Sequence, residues 1–195
     1  MFNVGIILLA AGNSTRMGSA KQLMNFKDKP LLRHAAEVAC HSNCAPVIVV
    51  LGAREHAVRE VLRDLPLEIA VNDSWSEGIG TSIKVGLHAL GSRAVCGVIF
   101  ALADQPFITA EFLKGLAEQH ARTKKLIVAS RYSGTIGVPA FVSRQLFPKL
   151  LALEPHQGCK GILLDGSQEA LLIDCPEAAI DIDSPADYGK AIRLG

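Results

Sequence analysis

The sequence of 195 residues has no marked excess of charge of one sign, since 20 Lys and Arg residues are balanced by 19 Asp and Glu residues. No basic face or basic tail stands out, which argues against nucleic acid as the main partner. Long apolar runs are also absent, because the longest extends only from Val4 to Ala11 and is far too short to span a bilayer. The beginning of the chain lacks the positive leader and the cleavage pattern of a signal peptide. We therefore expect a cytoplasmic protein without a membrane segment.

The five cysteines are an odd number and include no Cys-x-x-Cys pair. A disulfide scaffold or a zinc site is therefore disfavoured. One helix-like segment contains His34, Cys40, His41 and Cys44, and the spacing places the two cysteines on one helix face. Because cysteine is among the most buried residue types, we interpret these cysteines as core residues rather than as metal ligands.

Hydrophobic residues make up 49% of the chain, so a large core is available. Apolar runs rich in Val and Ile predict buried strands at 4–10, 46–51, 67–71, 95–102 and 126–129. Amphipathic segments between them predict helices at 30–44, 54–63, 81–90 and 110–122. The alternation predicts a Rossmann-like α/β fold of three layers, α/β/α, in which helices cover both faces of a mainly parallel sheet.

The pattern becomes less regular after Ala129. It predicts short strands at 140–142, 170–173 and 179–182, and short helices at 144–153 and 159–164. A closing helix is predicted at 185–193, with Ser184 as its cap and Pro185 in its first turn. We expect this half to cover the carboxyl ends of the strands, where ligands bind in open α/β sheets.

The loop after the first strand has the composition of a phosphate-binding site. The strand ends in Ala10, Ala11 and Gly12, and the polar stretch that follows contains Arg16 and Lys21. Small residues allow the backbone to approach a ligand, free amide groups donate to phosphate oxygens, and the cations offset phosphate charge. The spacing matches neither a Walker A motif nor Gly-x-Gly-x-x-Gly. A purely structural turn is the alternative, but the two cations favour the phosphate site.

Three carboxylates are candidate metal ligands. Asp104 follows the strand at 95–102, so we expect it at the carboxyl edge of the sheet, where a hard oxygen ligand suits Mg²⁺ bound to a triphosphate. Asp181 and Asp183 alternate along a predicted strand, so their side chains point to the same side. Either is able to complete the metal site, and capping of the closing helix is an alternative role for Asp183.

Glycines and hydroxyl residues lead into a helix between Asn72 and Ser82. The start of a helix offers free amide groups, and the Ser82 hydroxyl is able to contact a nucleobase edge. A plain helix start is the alternative interpretation of this segment.

Four motifs in this order resemble the molybdopterin nucleotidyltransferases: Leu9-Ala-Ala-Gly-x-Ser-x-Arg-Met-Gly-x-x-Lys21, Leu102-Ala-Asp-Gln-Pro106, Gly137-Val-Pro-Ala-Phe141 and Asp181-Ile-Asp-Ser-Pro185. They extend over nearly the whole chain. Within that family the sequence is most similar to the branch of molybdenum cofactor cytidylyltransferases, since Ala11 stands where the guanylyltransferase branch has a glycine.

The resemblance implies a nucleotide-diphospho-sugar transferase-like fold and one domain over 1–195, with a nucleotide-binding part at about 1–106 and an acceptor-binding part at about 107–195. It implies that CMP passes from CTP to molybdopterin with release of pyrophosphate and with Mg²⁺ as cofactor. A molybdenum hydroxylase is implied as a possible client protein.

By resemblance, the nucleotide is bound by Leu9, Ala10, Ala11, Gly12, Arg16, Lys21, Gly80 and Ser82. Arg16, Lys21 and Asp104 are implied to be catalytic, with Mg²⁺ held by Asp104 together with Asp181 or Asp183.

By resemblance, Gly137, Pro139 and Lys160 bind the acceptor. The family often has an arginine where this chain has Lys160, so the positive charge is kept but the paired hydrogen bonds of a guanidinium group are lost.

Two other functions stay open at this point. One is a guanylyl or sugar-phosphate nucleotidyltransferase on the same fold, because one fold hosts many substrates. The other is a carrier that binds a pterin cofactor without catalysis. The set of Arg16, Lys21 and Asp104 argues against the carrier, which needs no metal carboxylate.

Overall fold

The computed structural model describes residues 3–166 and 169–195. Its main strands are β1 (Val4–Leu9), β4 (Val47–Leu51), β5 (Glu68–Val71), β6 (Gly97–Leu102), β7 (Ile127–Tyr132), β8 (Thr135–Ser143) and β9 (Leu171–Asp174), and a small hairpin contains β2 (Asn25–Phe26) and β3 (Lys29–Pro30). The main strands form one sheet in the order β5-β4-β1-β6-β8-β7-β9. Every residue of β1, β4 and the first five of β6 is buried, as expected for Val- and Ile-rich strands covered on both faces.

The sheet is mainly parallel, as predicted. β1 pairs in parallel with β4 on one side and with β6 on the other, and β4 pairs in parallel with β5. β8 is antiparallel to both β6 and β7, while β9 is parallel to β7. The chain therefore moves outward from β1 in opposite directions, which creates a topological switch point between β1 and β6.

The helices are α1 (Leu31–His41), α2 (Glu55–Arg59), α3 (Ile79–Leu90), α4 (Ala110–Thr123), α5 (Phe147–Leu151), α6 (Lys160–Asp165) and α7 (Pro185–Leu194). Apolar residues of α1, α2 and α4 pack on one face of the sheet, and those of α3, α5 and α6 pack on the other. Helices therefore cover both faces, which confirms the three-layer prediction. Cys44 is buried in the first of these cores, in agreement with its interpretation as a core residue.

The strand predicted at 179–182 is wrong. Residues Pro176–Ala179 form a 3₁₀ turn, and the segment after it lies outside the sheet. Ile182 is buried in a small cluster with Phe26 and Leu31, and its backbone N–H donates to the Asp104 carbonyl at 2.9 Å. The alternation of apolar and acidic residues thus arises from one buried side chain in a loop, not from a strand in a sheet.

The closing helix begins as predicted. The Ser184 hydroxyl accepts from the backbone N–H of Asp187, and the Asp187 carboxylate accepts from the backbone N–H of Ser184, which completes a capping box. Across residues 3–166 and 169–195, no helix has both the length and the apolar character needed to cross a membrane.

Candidate functional site

The candidate site lies at the carboxyl ends of β1 and β6. Leu9 is the register partner of Leu102, and the N–H of Ala103 donates to the Leu9 carbonyl at 3.2 Å. The loop that begins at Ala10 and the carboxylate of Asp104 therefore leave the sheet side by side. This is the switch point between β1 and β6, the place where open α/β sheets bind ligands.

A chain of ion pairs connects three distant parts of the sequence at this edge. Lys21 Nζ lies 2.5 Å from Oδ2 of Asp104 and 2.8 Å from Oδ1 of Asp183. Arg16 Nη2 lies 2.9 Å from the other oxygen of Asp183, Oδ2. The Lys21 side chain is 15% exposed, whereas that of Arg16 is 72% exposed. The structure thus brings together the two cations and two of the carboxylates that the sequence singled out.

The charges of this group control its protonation. Burial lowers the pKa of Lys21, but the charges and hydrogen bonds of Asp104 and Asp183 outweigh that effect, so its pKa is raised. Burial acts on Asp183 in the opposite sense, yet Lys21 and Arg16 hold the pKa of Asp183 below its usual value. At neutral pH the ammonium and this carboxylate are therefore both ionised.

Asp181 lies in a different electrostatic environment. Burial, followed by the negative charges of Asp104 and Asp183, raises the pKa of Asp181 to about 6. Within the described ranges, Oδ1 of Asp104 and Oδ1 of Asp181 are buried and accept no hydrogen bond. Unpaired buried carboxylate oxygens are costly, and a bound cation would relieve that cost.

The carboxylates fit a hard divalent cation by their chemistry, although they do not form a complete metal cage. Among residues 3–166 and 169–195, no three His, Cys, Asp or Glu side chains are grouped as a metal centre. Lys21 lies between Asp104 and Asp183. Mg²⁺ typically takes one or two carboxylates together with substrate phosphates and water, so a complete cage is not required.

A cavity of about 250 Å³ adjoins the ion pairs. Most of the residues predicted to bind a nucleotide line it: Leu9, Ala10, Ala11, Gly12, Lys21 and Ser82. Asp104 lines it as well. A Cβ atom placed on Gly12 would meet no heavy atom within 4 Å, so the backbone of this loop is open to a ligand.

Gln22 holds the loop in place and was missed by the sequence interpretation. Its side chain is 4% exposed, and Nε2 donates to the carbonyls of Ala10 at 3.1 Å and Gly12 at 2.7 Å. Its Oε1 accepts from the Ser14 hydroxyl at 3.2 Å. Only its position beside Lys21 was visible in the sequence, and nothing there predicted a buried amide that fixes two backbone carbonyls.

The opposite wall of the cavity is formed by the start of α3 and the loop before it. Trp75 and Ile79 provide its apolar surface, and Ser82 provides a hydroxyl. Gly80, which was predicted to bind the nucleotide, is not among the residues that line the cavity. A Cβ on Gly80 would lie 2.3 Å from the Glu154 carbonyl, so this glycine faces the turn at 154–157. The lone tryptophan of the chain was the available signal for this wall.

None of the three residues predicted to bind an acceptor is among those that line the cavity. Gly137 in β8 is covered by Tyr132, whose hydroxyl would lie 2.2 Å from a Cβ at that position. The carbonyl of Pro139 accepts from the buried Ser130 hydroxyl at 2.6 Å. Lys160 is exposed at the start of α6, after the turn that contacts Gly80.

Gln105 connects the Asp104 loop to that region. It is 3% exposed, and its Nε2 donates to the Ala178 carbonyl at 2.9 Å and to the Val138 carbonyl at 3.3 Å. The carboxylate edge, the first half of β8 and the segment before Asp181 are therefore held together by one side-chain amide.

A family model for the MobA-like NTP transferase domain matches residues 6–170. The chain belongs to this family. The match contains every residue that lines the cavity, from Leu9 to Asp104. Asp183, which pairs with Lys21 and Arg16, lies after the matched range. The family is described as an NTP transferase domain, so membership supports a nucleotidyltransferase enzyme.

Individual relatives carry several names. The chain is 34% identical over 187 residues to nicotine blue oxidoreductase of Paenarthrobacter nicotinovorans, covering 91% of each protein. It is 26% identical to purine catabolism protein PucB of Bacillus subtilis, covering 96% of this chain and 95% of that protein. It is 23% identical to molybdenum cofactor cytidylyltransferase of Escherichia coli, with 96% and 95% covered.

Solved structures share the fold. Rv0371c of Mycobacterium tuberculosis H37Rv is 27% identical, with a TM-score of 0.82 and 98% of both chains covered. A structure of the same protein in complex with manganese is 24% identical, with a TM-score of 0.77 and coverage of 98% and 99%. These likenesses agree with the nucleotide-diphospho-sugar transferase-like fold implied by the sequence motifs.

Proposed function

We propose that this protein transfers CMP from CTP to molybdopterin and releases pyrophosphate. The observation that carries the proposal is the position of the Lys21 ammonium, which pairs with Asp104 and Asp183 while Lys21 and Asp104 line the cavity. A cation fixed beside two carboxylates at a switch point suits the binding of a triphosphate together with a metal ion.

The first loop is proposed to hold the triphosphate. Free amide groups near Gly12 donate to phosphate oxygens, and Gln22 keeps the loop in one conformation before the nucleotide binds. Lys21 and the exposed Arg16 offset the negative charge that develops on the reacting phosphate and on pyrophosphate. Little covalent chemistry is required of the protein, since positioning and charge neutralisation account for most of the rate in such transfers.

Asp104, together with Asp181 or Asp183, is proposed to hold Mg²⁺. The unpaired Oδ1 atoms of Asp104 and Asp181 and the raised pKa of Asp181 support this assignment. The metal would neutralise phosphate charge and act as a template for the triphosphate. Because Lys21 pairs with the same carboxylates, we propose that its ammonium turns toward the phosphates when nucleotide and metal are bound.

The preference for CTP is proposed from the first loop. Ala11 stands where the related guanylyltransferases have a glycine, and it lines the cavity. The likeness to a relative named molybdenum cofactor cytidylyltransferase, at 23% identity over 96% of the chain, supports the same choice.

The acceptor is proposed to lie between the first half of β8 and the turn before α6. Gly137, Pro139 and Lys160 border this region, and Lys160 provides a cation for the terminal phosphate of molybdopterin. A molybdenum hydroxylase is the proposed client of the product.

A pyrophosphate-release assay tests the proposal. Purified protein receives molybdopterin and one of CTP, GTP, UTP or ATP, with Mg²⁺ or Mn²⁺, and the pterin product is identified by mass. We expect pyrophosphate and a cytidine dinucleotide of the pterin with CTP. Release with GTP alone would identify a guanylyltransferase instead. Tight pterin binding without release from any nucleotide would identify a carrier.

A relative of this fold is named an oxidoreductase, and one fold hosts many reactions. The same purified protein is therefore also assayed, without molybdopterin, for the reduction of dyes by NADH and NADPH. Turnover of a reduced nicotinamide without any nucleotidyl transfer would overturn the proposed function.

A further inference from the structure

A buried asparagine lies directly behind the cavity hydroxyl. Asn72 is 2% exposed and Ser82 is 5% exposed. Asn72 Nδ2 donates to Ser82 Oγ at 2.9 Å and to Thr81 Oγ1 at 2.8 Å. Ser82 lines the cavity, whereas Asn72 does not. Asn72 therefore acts on a ligand in the cavity only through Ser82.

The orientation of the Asn72 amide is fixed by its other end. Oδ1 accepts from the backbone N–H of Ser74 at 3.1 Å, and the backbone N–H of Asn72 donates to the Leu51 carbonyl at 2.8 Å. A flipped amide would place Nδ2 against the Ser74 N–H and leave two donors facing each other. Both Nδ2 hydrogens are therefore directed at the hydroxyls of Thr81 and Ser82.

The hydrogen bonds then determine where each hydroxyl hydrogen points. Thr81 Oγ1 donates to the Gly78 carbonyl at 2.7 Å, so its hydrogen is occupied. Ser82 Oγ accepts from Asn72, and in residues 3–166 and 169–195 it donates to no protein acceptor. Because Ser82 is buried and faces the cavity, its hydrogen is available only to a group inside the cavity.

We propose that Asn72 is a positioning residue that makes the Ser82 hydroxyl a hydrogen-bond donor toward the base, and that this polarity selects cytosine over uracil. The inference rests on the proposed function, since it takes the cavity to hold the base of a nucleotide. Cytosine presents a bare ring nitrogen at N3, which accepts a hydrogen bond. Uracil carries a hydrogen at N3, so the Ser82 hydrogen finds no acceptor at that position and the hydrogen bond that cytosine accepts is lost.

Replacing Asn72 with Asp separates this positioning role from a merely structural one, because only the positioning role predicts a change in the CTP to UTP preference. An aspartate accepts at both oxygens, so it would take the Ser82 hydrogen and turn the Oγ lone pairs toward the cavity. The dissociation constants of CTP and UTP are measured by calorimetry with Mg²⁺ for wild type and Asn72→Asp. We expect the wild type to prefer CTP by about tenfold or more, and the ratio to fall by about tenfold or invert in the variant. Using the ratio removes the effect of the added charge, which weakens both nucleotides alike.

Three further variants separate orientation from packing. Ser82→Ala is expected to lose the preference, and Asn72→Asp added to Ser82→Ala is expected to change the ratio no further. Thr81→Val removes the other partner of Asn72 and is expected to leave the ratio unchanged. If the ratio of the CTP and UTP dissociation constants in Asn72→Asp stays within about twofold of the wild-type ratio, while the wild type binds CTP, this inference alone is overturned. Failure of the wild type to bind either nucleotide overturns both this inference and the proposed function.

Discussion

Lys21 Nζ and Asp104 Oδ2 lie 2.5 Å apart, although 82 residues separate them in the chain and the ion pair is mostly shielded from solvent. The pair exists because β1 and β6 are parallel neighbours whose carboxyl ends meet at one edge of the sheet. It joins the loop proposed to hold phosphates to the strand end proposed to hold a metal ion.

Removing the cation is expected to slow the transfer strongly. Lys21→Ala should lower the rate of pyrophosphate release by about 10²–10³-fold, because a fixed donor at developing charge contributes about 3–4 kcal/mol to transition-state stabilisation. The rate is measured at saturating CTP and molybdopterin. Lys149→Ala, which changes an exposed lysine of α5 outside the cavity lining, is the matched control. A loss below about threefold would remove Lys21 from the proposed catalytic group.

Neutralising the central carboxylate is expected to abolish activity without unfolding the protein. Asp104→Asn keeps the shape of the side chain but removes the charge that would bind Mg²⁺. Pyrophosphate release is measured beside circular dichroism, and Asp64→Asn in an exposed turn is the control. Undiminished release by Asp104→Asn would rule out the metal role of this residue.

The amide of Gln22 is expected to stabilise the first loop. Gln22→Met removes the donors to the Ala10 and Gly12 carbonyls and should lower the free energy of unfolding by about 1–3 kcal/mol. It should also raise the KM for CTP, since the loop loses its fixed conformation. Gln22→Glu should be worse, because a carboxylate accepts only and would face two carbonyl oxygens.

Urea unfolding and initial rates are compared with those of Gln145→Met, a change at an exposed glutamine. If Gln22→Met matches that control in both measurements, the amide does not stabilise the loop.

The raised pKa of Asp181 predicts a pH-dependent effect of its removal. The folded-state pKa of about 6 lies above the usual value of 3.8, so between these values the folded protein binds more protons than the unfolded chain. Stability contributed by the protonated carboxyl is therefore lost as the pH rises from about 4 to about 6. Asp181→Asn should be more stable than the wild type at pH 8, and the difference should vanish near pH 4.

The measurement is urea unfolding in EDTA at several pH values, so that no divalent cation offsets the charge. Asp165→Asn, an exposed carboxylate in α6, should show no such trend. The prediction is contradicted if the difference in free energy of unfolding between Asp181→Asn and the wild type is the same at pH 4 and at pH 8.

The sequence predicts the sheet well because its signal is local. Buried strands such as β1 and β6 are continuous Val- and Ile-rich runs that end at small or acidic residues, and their boundaries agree with the predictions within two residues at each end. The hairpin of β2 and β3 was not predicted, since two-residue strands have no periodicity to detect. β8 was predicted only at 140–142, because Gly137 and Pro139 interrupt the apolar pattern that would identify its first half.

The sequence predicts the charged residues of the candidate site but not the buried amides that hold the site in place. Arg16, Lys21 and Asp104 stand out as charged residues after apolar strands, and the structure brings them together with Asp183. The roles of Gln22 and Asn72 depend on which carbonyl or hydroxyl lies within 3 Å of an amide, and a single sequence carries no record of such distances.

The contact between Gly80 and the turn at 154–157 has a consequence for building hybrid enzymes. The N–H of Gly80 donates to the Pro155 carbonyl at 2.8 Å, and backbone oxygens of the turn leave no room for a side chain at that position. If the turn at 154–157 is replaced by that of a relative, the start of α3 from the same relative must therefore be transferred with it. A library that exchanges the two segments as one block should yield folded chimeras more often than one that exchanges them separately.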